Sequence, residues 1–372
     1  AFDDQLLLMT ATDANGNTST AHKDVRGQLI LARPPNNLGP EVRNSYDALG
    51  QLIQTQYGPA ISTIQYNYAG QKVSMDDADM GEWSYTYNAL GSLLSQTDAR
   101  SQTVCMGYDQ LNRLTSKSYG ANGACSPAPV SAYLYDQNGK LGYRTGMIDN
   151  TTHTLYSQIQ TSWTYDLRGR VLSETRNLGQ GEVYTTSWQY NSADQMTRMT
   201  YPSGMVLDYS YLPQGGTRSV TGFQTDMRVN ALGRVTQRTL SNGSTTAYTY
   251  QPFLSGANRL QRLLTTHTYY GVRQDYTYTY DAVGNILSIT DAAWEQDAQT
   301  FTYDAMNRLL TASGTYAYNG QAYASNTSYD PLTGNIASKD GNAYTYSPAI
   351  PHAVIQAGTR IFSYDANGNM TH

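Results

Sequence analysis

The sequence predicts an all-β protein: antiparallel β-hairpins joined into one continuous, spiralling sheet. Three observations predict it. A four-residue turn recurs thirteen times along the chain. Its flanks alternate with period two and are filled by Tyr, Thr, Val and Ile, which is strand composition. No stretch of ten or more residues has the apolar spacing of a helix.

The turns begin at Asp24, Asp47, Asn67, Asn88, Asp109, Asp136, Asp166, Asn191, Asn230, Asp281, Asp304, Asp330 and Asp365. The first position is always Asp or Asn, whose short side chain accepts a hydrogen bond from backbone two residues on in a type I turn. The fourth position is Gly in most copies, including Gly50, Gly169, Gly284 and Gly368, but Asn112 and Asn307 in two others and Asp194 in a third. These are the residue types that best tolerate the left-handed backbone of a hairpin bulge. What recurs is a backbone shape. A ligand site would have kept the side chain. At Asp330 the glycine comes one residue later, so that loop is longer.

Tyr precedes eleven of the thirteen turns. Tyr46, Tyr87, Tyr108, Tyr135, Tyr165, Tyr280, Tyr303 and Tyr364 hold this place, and Tyr278 shares the face of Tyr276 and Tyr280. These rings are expected to form the wall, each stacked on the ring one repeat away with its hydroxyl wetted or bonded. A looser turn class falls between the copies, at Asp13–Gly16, Asp98–Ser101, Pro202–Gly204, Asn242–Gly243 and Asp340–Asn342. The unit is strand, tight turn, strand, looser turn. With about seven residues per strand, the repeats imply about 26 to 32 strands and a sheet roughly 125 to 150 Å wide. A flat sheet of that width twists, splits or curls, and with no helices to cover it, curling into a spiral shell is the expectation.

Composition agrees. Tyr outnumbers Phe 33 to 5 and apolar residues make up 39%, too few for one thick aliphatic core. Charged residues are sparse at 14% and the net charge is −5, which leaves no electrostatic footprint for nucleic acid or an anionic membrane. No apolar run approaches the roughly 20 residues of a membrane helix, so membrane insertion by this segment is not expected.

No residue is assigned a catalytic, cofactor-binding or metal-binding role. His22, His153, His267, His352 and His372 lack metal-ligand spacing. The loops starting at Asp13 and Asp365 resemble calcium loops superficially, but their glycines come too early for an EF-hand. Asp76, Asp77, Asp79 and Glu82 form the one dense acidic cluster, read as a solvated loop. Trp83, Trp163, Trp188 and Trp294 could stack on sugars, though packing within the wall is the simpler role. Cys105 faces roughly residue 116 if 109–112 is a hairpin turn, which puts Cys125 on the next strand or loop. A disulfide and two unpaired thiols both stay open.

The phrases YDALGQL, YDLRGRVL, YDAVGNIL, YDAMNRLL and YDANGNM resemble the YD repeats of the RHS (rearrangement hotspot) family, which includes Tc toxin C subunits, bacterial polymorphic and wall-associated toxins, and teneurins. The resemblance runs from about Asp13 to Met370, and PHAV at 351–354 is similar to the final repeats upstream of the family's core. It implies a hollow β-cocoon and a non-catalytic scaffold in a secreted or surface-exposed bacterial protein. The implied partner is an effector domain of the same parent chain, enclosed by the shell, with a toxin-delivery component or surface glycans as further partners. A teneurin-like adhesion or carbohydrate-binding protein is the alternative. The family's self-cleaving core and variable effector have no counterpart in residues 1–372, which are expected to be a single shell segment from within a larger protein.

Overall fold

The computed structural model describes residues 7–151, 158–293, 297–315 and 320–372. Among these the chain forms 33 antiparallel strands, from Leu7–Thr12 to Arg360–Ile361, hydrogen-bonded in sequence order except that Ser131–Tyr135 pairs with Leu114–Ala121, as does the two-residue strand Ala124–Cys125 between them. Helix is confined to single turns such as Phe253–Gly256. The strand count slightly exceeds the sequence expectation because two-residue strands such as Ala124–Cys125 interrupt the regular unit.

The wall is one layer thick. Its accessible surface is 22514 Å², against about 15,000 Å² for a compact monomer of this mass. Among the described residues only Pro40, Ala60, Cys105, Leu207 and Ala353 are buried apolar side chains. The two faces differ in chemistry. Along Gly81–Tyr87, Trp83, Tyr85 and Tyr87 are half-buried on one face while Glu82, Ser84 and Thr86 are exposed on the other. On that second face, hydroxyls pair across several of the hairpins: Thr86 with Ser95, Thr164 with Ser173, Thr279 with Ser288 and Thr302 with Thr311, all at 2.6 Å.

A second irregularity follows the turn. Tyr280 pairs with Ile286 but Thr279 with Ser288, so Leu287 is an extra residue in the return strand. The same shift opposes Leu52 to Tyr46, Leu93 to Tyr87 and Leu309 to Tyr303. The apolar pair after each turn is therefore a β-bulge, which adds local twist and bends the strand. Repeated once per hairpin, it supplies the curl.

The cysteines are joined. Cys105 pairs across the hairpin with Ser118, not with residue 116, and Cys125 pairs with Gly120. Strands on either side of a third lie about 9.6 Å apart in a flat sheet, yet the Cys105 and Cys125 Cα atoms are 5.8 Å apart in a disulfide. The Asn122–Gly123 hairpin thus folds over the start of Gln102–Tyr108. Asn122 N–H donates to the Ser101 carbonyl at 2.8 Å and Gly123 N–H to Thr103 Oγ1 at 2.9 Å, leaving Thr103 only 1% exposed.

Candidate functional site: repeat clasps and winding seam

Most of the tight turns share one geometry; the copy at Asp136 is instead a longer loop, in which Asp136 itself is left-handed at φ 61° and its N–H donates to the Tyr143 carbonyl at 3.1 Å. Asp47 Oδ1 accepts from the N–H groups of Leu49 and Gln51 at 2.9 and 2.8 Å, and Gly50 N–H donates to the Asp47 carbonyl at 3.0 Å. Asp109, Asp166, Asp304 and Asp365 accept the same pair of backbone bonds. Gly50, Asn112, Gly169, Asn307 and Gly368 sit at φ of 85°, 62°, 83°, 62° and 75°. Asp281 departs from this: its Oδ1 accepts from Gly284 and Asn285 N–H, both at 2.8 Å, and Gly284 opens to φ 113°.

The bulge leaves a carbonyl out of the ladder, and the next tyrosine takes it. Tyr46 OH donates to Leu29 O at 3.0 Å, Tyr87 to Lys72 at 2.8 Å, Tyr108 to Leu93 at 2.9 Å and Tyr135 to Leu114 at 2.9 Å. Tyr165 reaches Arg144 at 2.6 Å, Tyr280 Leu260 at 2.8 Å, Tyr303 Ile286 at 2.9 Å and Tyr364 Val354 at 3.0 Å. Burial pushes the hydroxyl pKa of Tyr165, Tyr280 and Tyr303 upward, keeping the donor protonated. Phe cannot make this bond, which accounts for the imbalance between the two residues.

Stacking from repeat to repeat is not what the rings do. Among the described residues the stacked Tyr278–Tyr280 pair, at 6.5 Å, lies within one strand, and no ring pair joins successive pre-turn tyrosines. Their faces are covered instead by the residue just after the preceding turn, a position that strand and turn signals do not mark. Arg113 lies 4.4 Å over Tyr135, Arg170 4.8 Å over Tyr190 and Arg308 4.1 Å over Tyr329. Each guanidinium also bonds its own turn and the next one. Arg113 bonds Asp109 at 2.8 Å and grips Asp136 at 3.0 and 2.7 Å; the Arg113 backbone N–H, with the guanidinium, holds the Asp109 carboxyl below the usual range, and the guanidinium first of all does so at Asp136. Gln28 and Gln51 span the same gap to Gly50 O and Gly70 O.

A second set of contacts joins residues nearly a full winding apart. Asn15 Nδ2 donates to Asp281 Oδ2 at 2.9 Å across 266 residues, Arg308 to Leu38 O at 2.8 Å across 270, and Asn367 to Asp98 Oδ2 at 2.6 Å across 269. Arg100 pairs with Asp365 at 3.1 Å, and His352 with Asp79 at 2.6 Å. Three of these bonds set a looser turn of the N-terminal part against a tight turn of the C-terminal part, and the Leu38 and His352 contacts, made by longer connections on the same two edges, continue the line. The ribbon winds once and its two edges touch along a seam. The acidic cluster is split: Asp79 holds His352 at the seam and Asp77 Oδ1 caps its own turn through Asp79 and Met80 N–H, both at 3.0 Å, while Asp76 and Glu82 are exposed as expected of a solvated loop.

The remaining sequence candidates are accounted for locally. Asp13 Oδ1 accepts from Asn15 and Asn17 N–H. Trp83 Nε1–H donates to Met80 O and Trp163 Nε1–H to Glu174. Among the described residues no three His, Cys, Asp or Glu converge on a metal position, and no helix is long and apolar enough to cross a membrane. His153 and Trp294 lie outside the described residues.

These features define a class: a one-layer, spirally wound YD-repeat β-shell. No protein-family model matches the chain. It is similar to the toxin subunit YenC1 of Yersinia entomophaga, 27% identical over 247 residues, which is 63% of this chain and 19% of that protein. Teneurin-3 of Danio rerio is 27% identical over 225 residues, 50% of this chain and 8% of that one. These relatives, a Tc toxin subunit and a teneurin, are RHS/YD-repeat proteins. The TcdB2–TccC3–TEV crystal structure superimposes with a TM-score of 0.80 at 17% identity, covering 99% of this chain and 22% of that one. The Photorhabdus luminescens Tc holotoxin pore gives a TM-score of 0.77 at 17% identity over 95% of this chain and 21% of that one. At that identity the likeness shows the fold. The chain spans about a fifth of the toxin subunit it matches.

Proposed function

We infer that the chain is a non-catalytic shell segment, a single scaffold unit whose work is to enclose an effector domain of the same parent chain. The observation that carries this reading is the seam. An open ribbon separates nothing, whereas a ribbon whose edges meet after one winding divides an inside from an outside. About 24 strands per winding at about 4.8 Å give a girth near 115 Å and about 35 Å between opposing backbones, room for a folded helix pair or an extended chain. The turn aspartates and pre-turn tyrosines are wall residues in this reading, with no chemistry of their own.

Support comes from the relatives: one is a toxin subunit, and the superimposable structures are TcdB2–TccC3 assemblies and a holotoxin pore. A toxin-delivery component is accordingly the second partner we propose. The disulfide fits an oxidising, extracellular setting. Limited proteolysis of the parent chain tests the reading. The segment downstream of the shell should resist protease while the seam is intact and become cleavable when Asn15, Asp98 and Arg308 are all replaced by Ala. A downstream segment cleaved equally fast with an intact seam contradicts enclosure.

A further inference from the structure

The disulfide-tied flap and the seam meet at one turn. Asp98 Oδ1 accepts from the Arg100 and Gln102 N–H groups at 3.0 and 2.8 Å, which shapes the turn Asp98–Ser101. The same turn makes the seam, since Asp98 Oδ2 accepts from Asn367 at 2.6 Å and Arg100 pairs with Asp365 at 3.1 Å. A side chain at Gly81 would strike both Ala99 and the Ala366 carbonyl oxygen, so the two turns are also packed closely around that glycine. The last residue of the looser turn is its weak point. Ser101 holds a left-handed φ of 62° where the turn at Asp13 has Gly16 at φ 85°, a conformation that costs a residue with a Cβ. The flap supports it: Asn122 N–H donates to the Ser101 carbonyl at 2.8 Å, beside the Gly123 N–H bond to Thr103 Oγ1 at 2.9 Å. Residues 122–126 are exposed, so little apolar burial adds to these two bonds and the Cys105–Cys125 link in holding the flap down.

We propose that Cys105–Cys125 is a redox latch on the seam: reduction frees the flap, Ser101 loses its support, and the Asp98–Ser101 turn lets go of Asp365 and Asn367. The reductant is a dithiol. Cys125 is exposed and Cys105 only 5% exposed, so a reductant thiolate attacks the Cys125 sulfur, and Cys105 leaves as a thiolate that solvent protonates. The reductant's second thiolate then displaces Cys125 from the mixed disulfide. The two electrons that reduce the cystine come from the reductant, which departs as a disulfide. Opening is confined to this clasp, because the Asn15–Asp281 and Arg308–Leu38 contacts belong to other turns. The shell is shut at this point in an oxidising medium and opens there in a reducing one. The inference rests on the seam and stands apart from what the shell encloses.

Hydrogen exchange read by mass spectrometry, with and without dithiothreitol, tests it on the unmodified chain and on Ser101→Gly. Alkylation of both thiols confirms reduction. In the unmodified chain, reduction is expected to speed exchange at 98–101 and 365–369 by about tenfold, an ordinary size for coupling between sites, and to leave 281–285 unchanged. Ser101→Gly gives the turn a residue that keeps a left-handed φ unaided. Its flap should still be freed by reduction, as faster exchange at 122–126, while its seam at 365–369 stays protected. Unchanged exchange at 365–369 in the reduced, unmodified chain overturns the proposal. So does an equal acceleration at 281–285, a disulfide that dithiothreitol leaves intact, or a reduced Ser101→Gly seam that opens as far as the unmodified one.

Discussion

Tyr190 donates its hydroxyl to the Val171 carbonyl at 2.8 Å while its ring lies 4.8 Å beneath the guanidinium of Arg170, the residue just before Val171. Two consecutive residues of one repeat thus hold one side chain of the next, by a hydrogen bond and a cation–π contact. The wall is built from this clasp. Burial raises the Tyr190 hydroxyl pKa, and Arg170 in turn bonds Asp166 at 2.6 Å and Asp194 at 2.7 Å.

Removing only the hydroxyl therefore has a cost that ring stacking would not predict. Tyr190→Phe should destabilise the chain by about 1 kcal/mol, the net worth of one hydrogen bond whose acceptor is left unpaired. Urea denaturation measures it. A variant as stable as the parent means the clasp resides in the ring alone.

The turn positions give a contrasting pair. Asn307 at φ 62° loses a bond to Asn285 when changed to glycine but gains backbone ease, so Asn307→Gly should be close to neutral. Gly284→Val should cost on the order of 1 to 2 kcal/mol. Its Cβ is forced into the left-handed region, 3.3 Å from the Arg259 guanidinium. Equal melting temperatures for Gly284→Val and the parent would contradict the turn geometry.

Acid should open the seam before it unfolds the strands. Burial opposes ionisation of Asp98, but the Asn367 amide and the Gln102 and Arg100 donors outweigh it and hold the pKa below the usual carboxylate range. At Asp365 the Asn369 backbone N–H is the largest cause of the same downward shift. A folded-state pKa below the unfolded one contributes stability above the unfolded value and loses it as pH falls through the folded one. Hydrogen exchange at 98–101 and 365–369 is expected to accelerate below about pH 4, ahead of the loss of the β-sheet circular dichroism signal. Simultaneous loss of both would place the carboxylates' contribution elsewhere.

Reduction should act locally. The disulfide closes a loop of 20 residues, for which the chain-entropy argument gives about 3 kcal/mol. The hairpin of Gln102–Tyr108 with Leu114–Ala121 keeps its seven register pairs without it. Treatment with a dithiol should expose residues 122–126 to protease while leaving that hairpin protected, as read by mass spectrometry of the fragments. An unchanged cleavage pattern would show that backbone bonds alone hold the flap.

The all-β class and the hairpin repeat were legible because each is written within a few residues: Asp or Asn, then Gly, then a period-two flank. The bulge hid inside the same phrase, since Ile286 and Leu287 read as ordinary strand until their register with Tyr280 is known. Arg113 and Arg170 were passed over because a residue just after a turn carries no strand or turn signal, and its partners lie a repeat away. The cysteine pair depended on a hairpin folding over the sheet at Gly120, and the seam on accumulated curvature across about 270 residues. Neither leaves a local pattern.

The central claim is that the sheet winds until its edges meet. A distance measured by pulsed electron paramagnetic resonance between spin labels at Ala14→Cys and Ala282→Cys tests it most directly, since both side chains are exposed and flank the Asn15–Asp281 bond. A single narrow distribution at short distance is the result expected of a closed winding. A broad distribution at long distance would show an open ribbon and contradict the account.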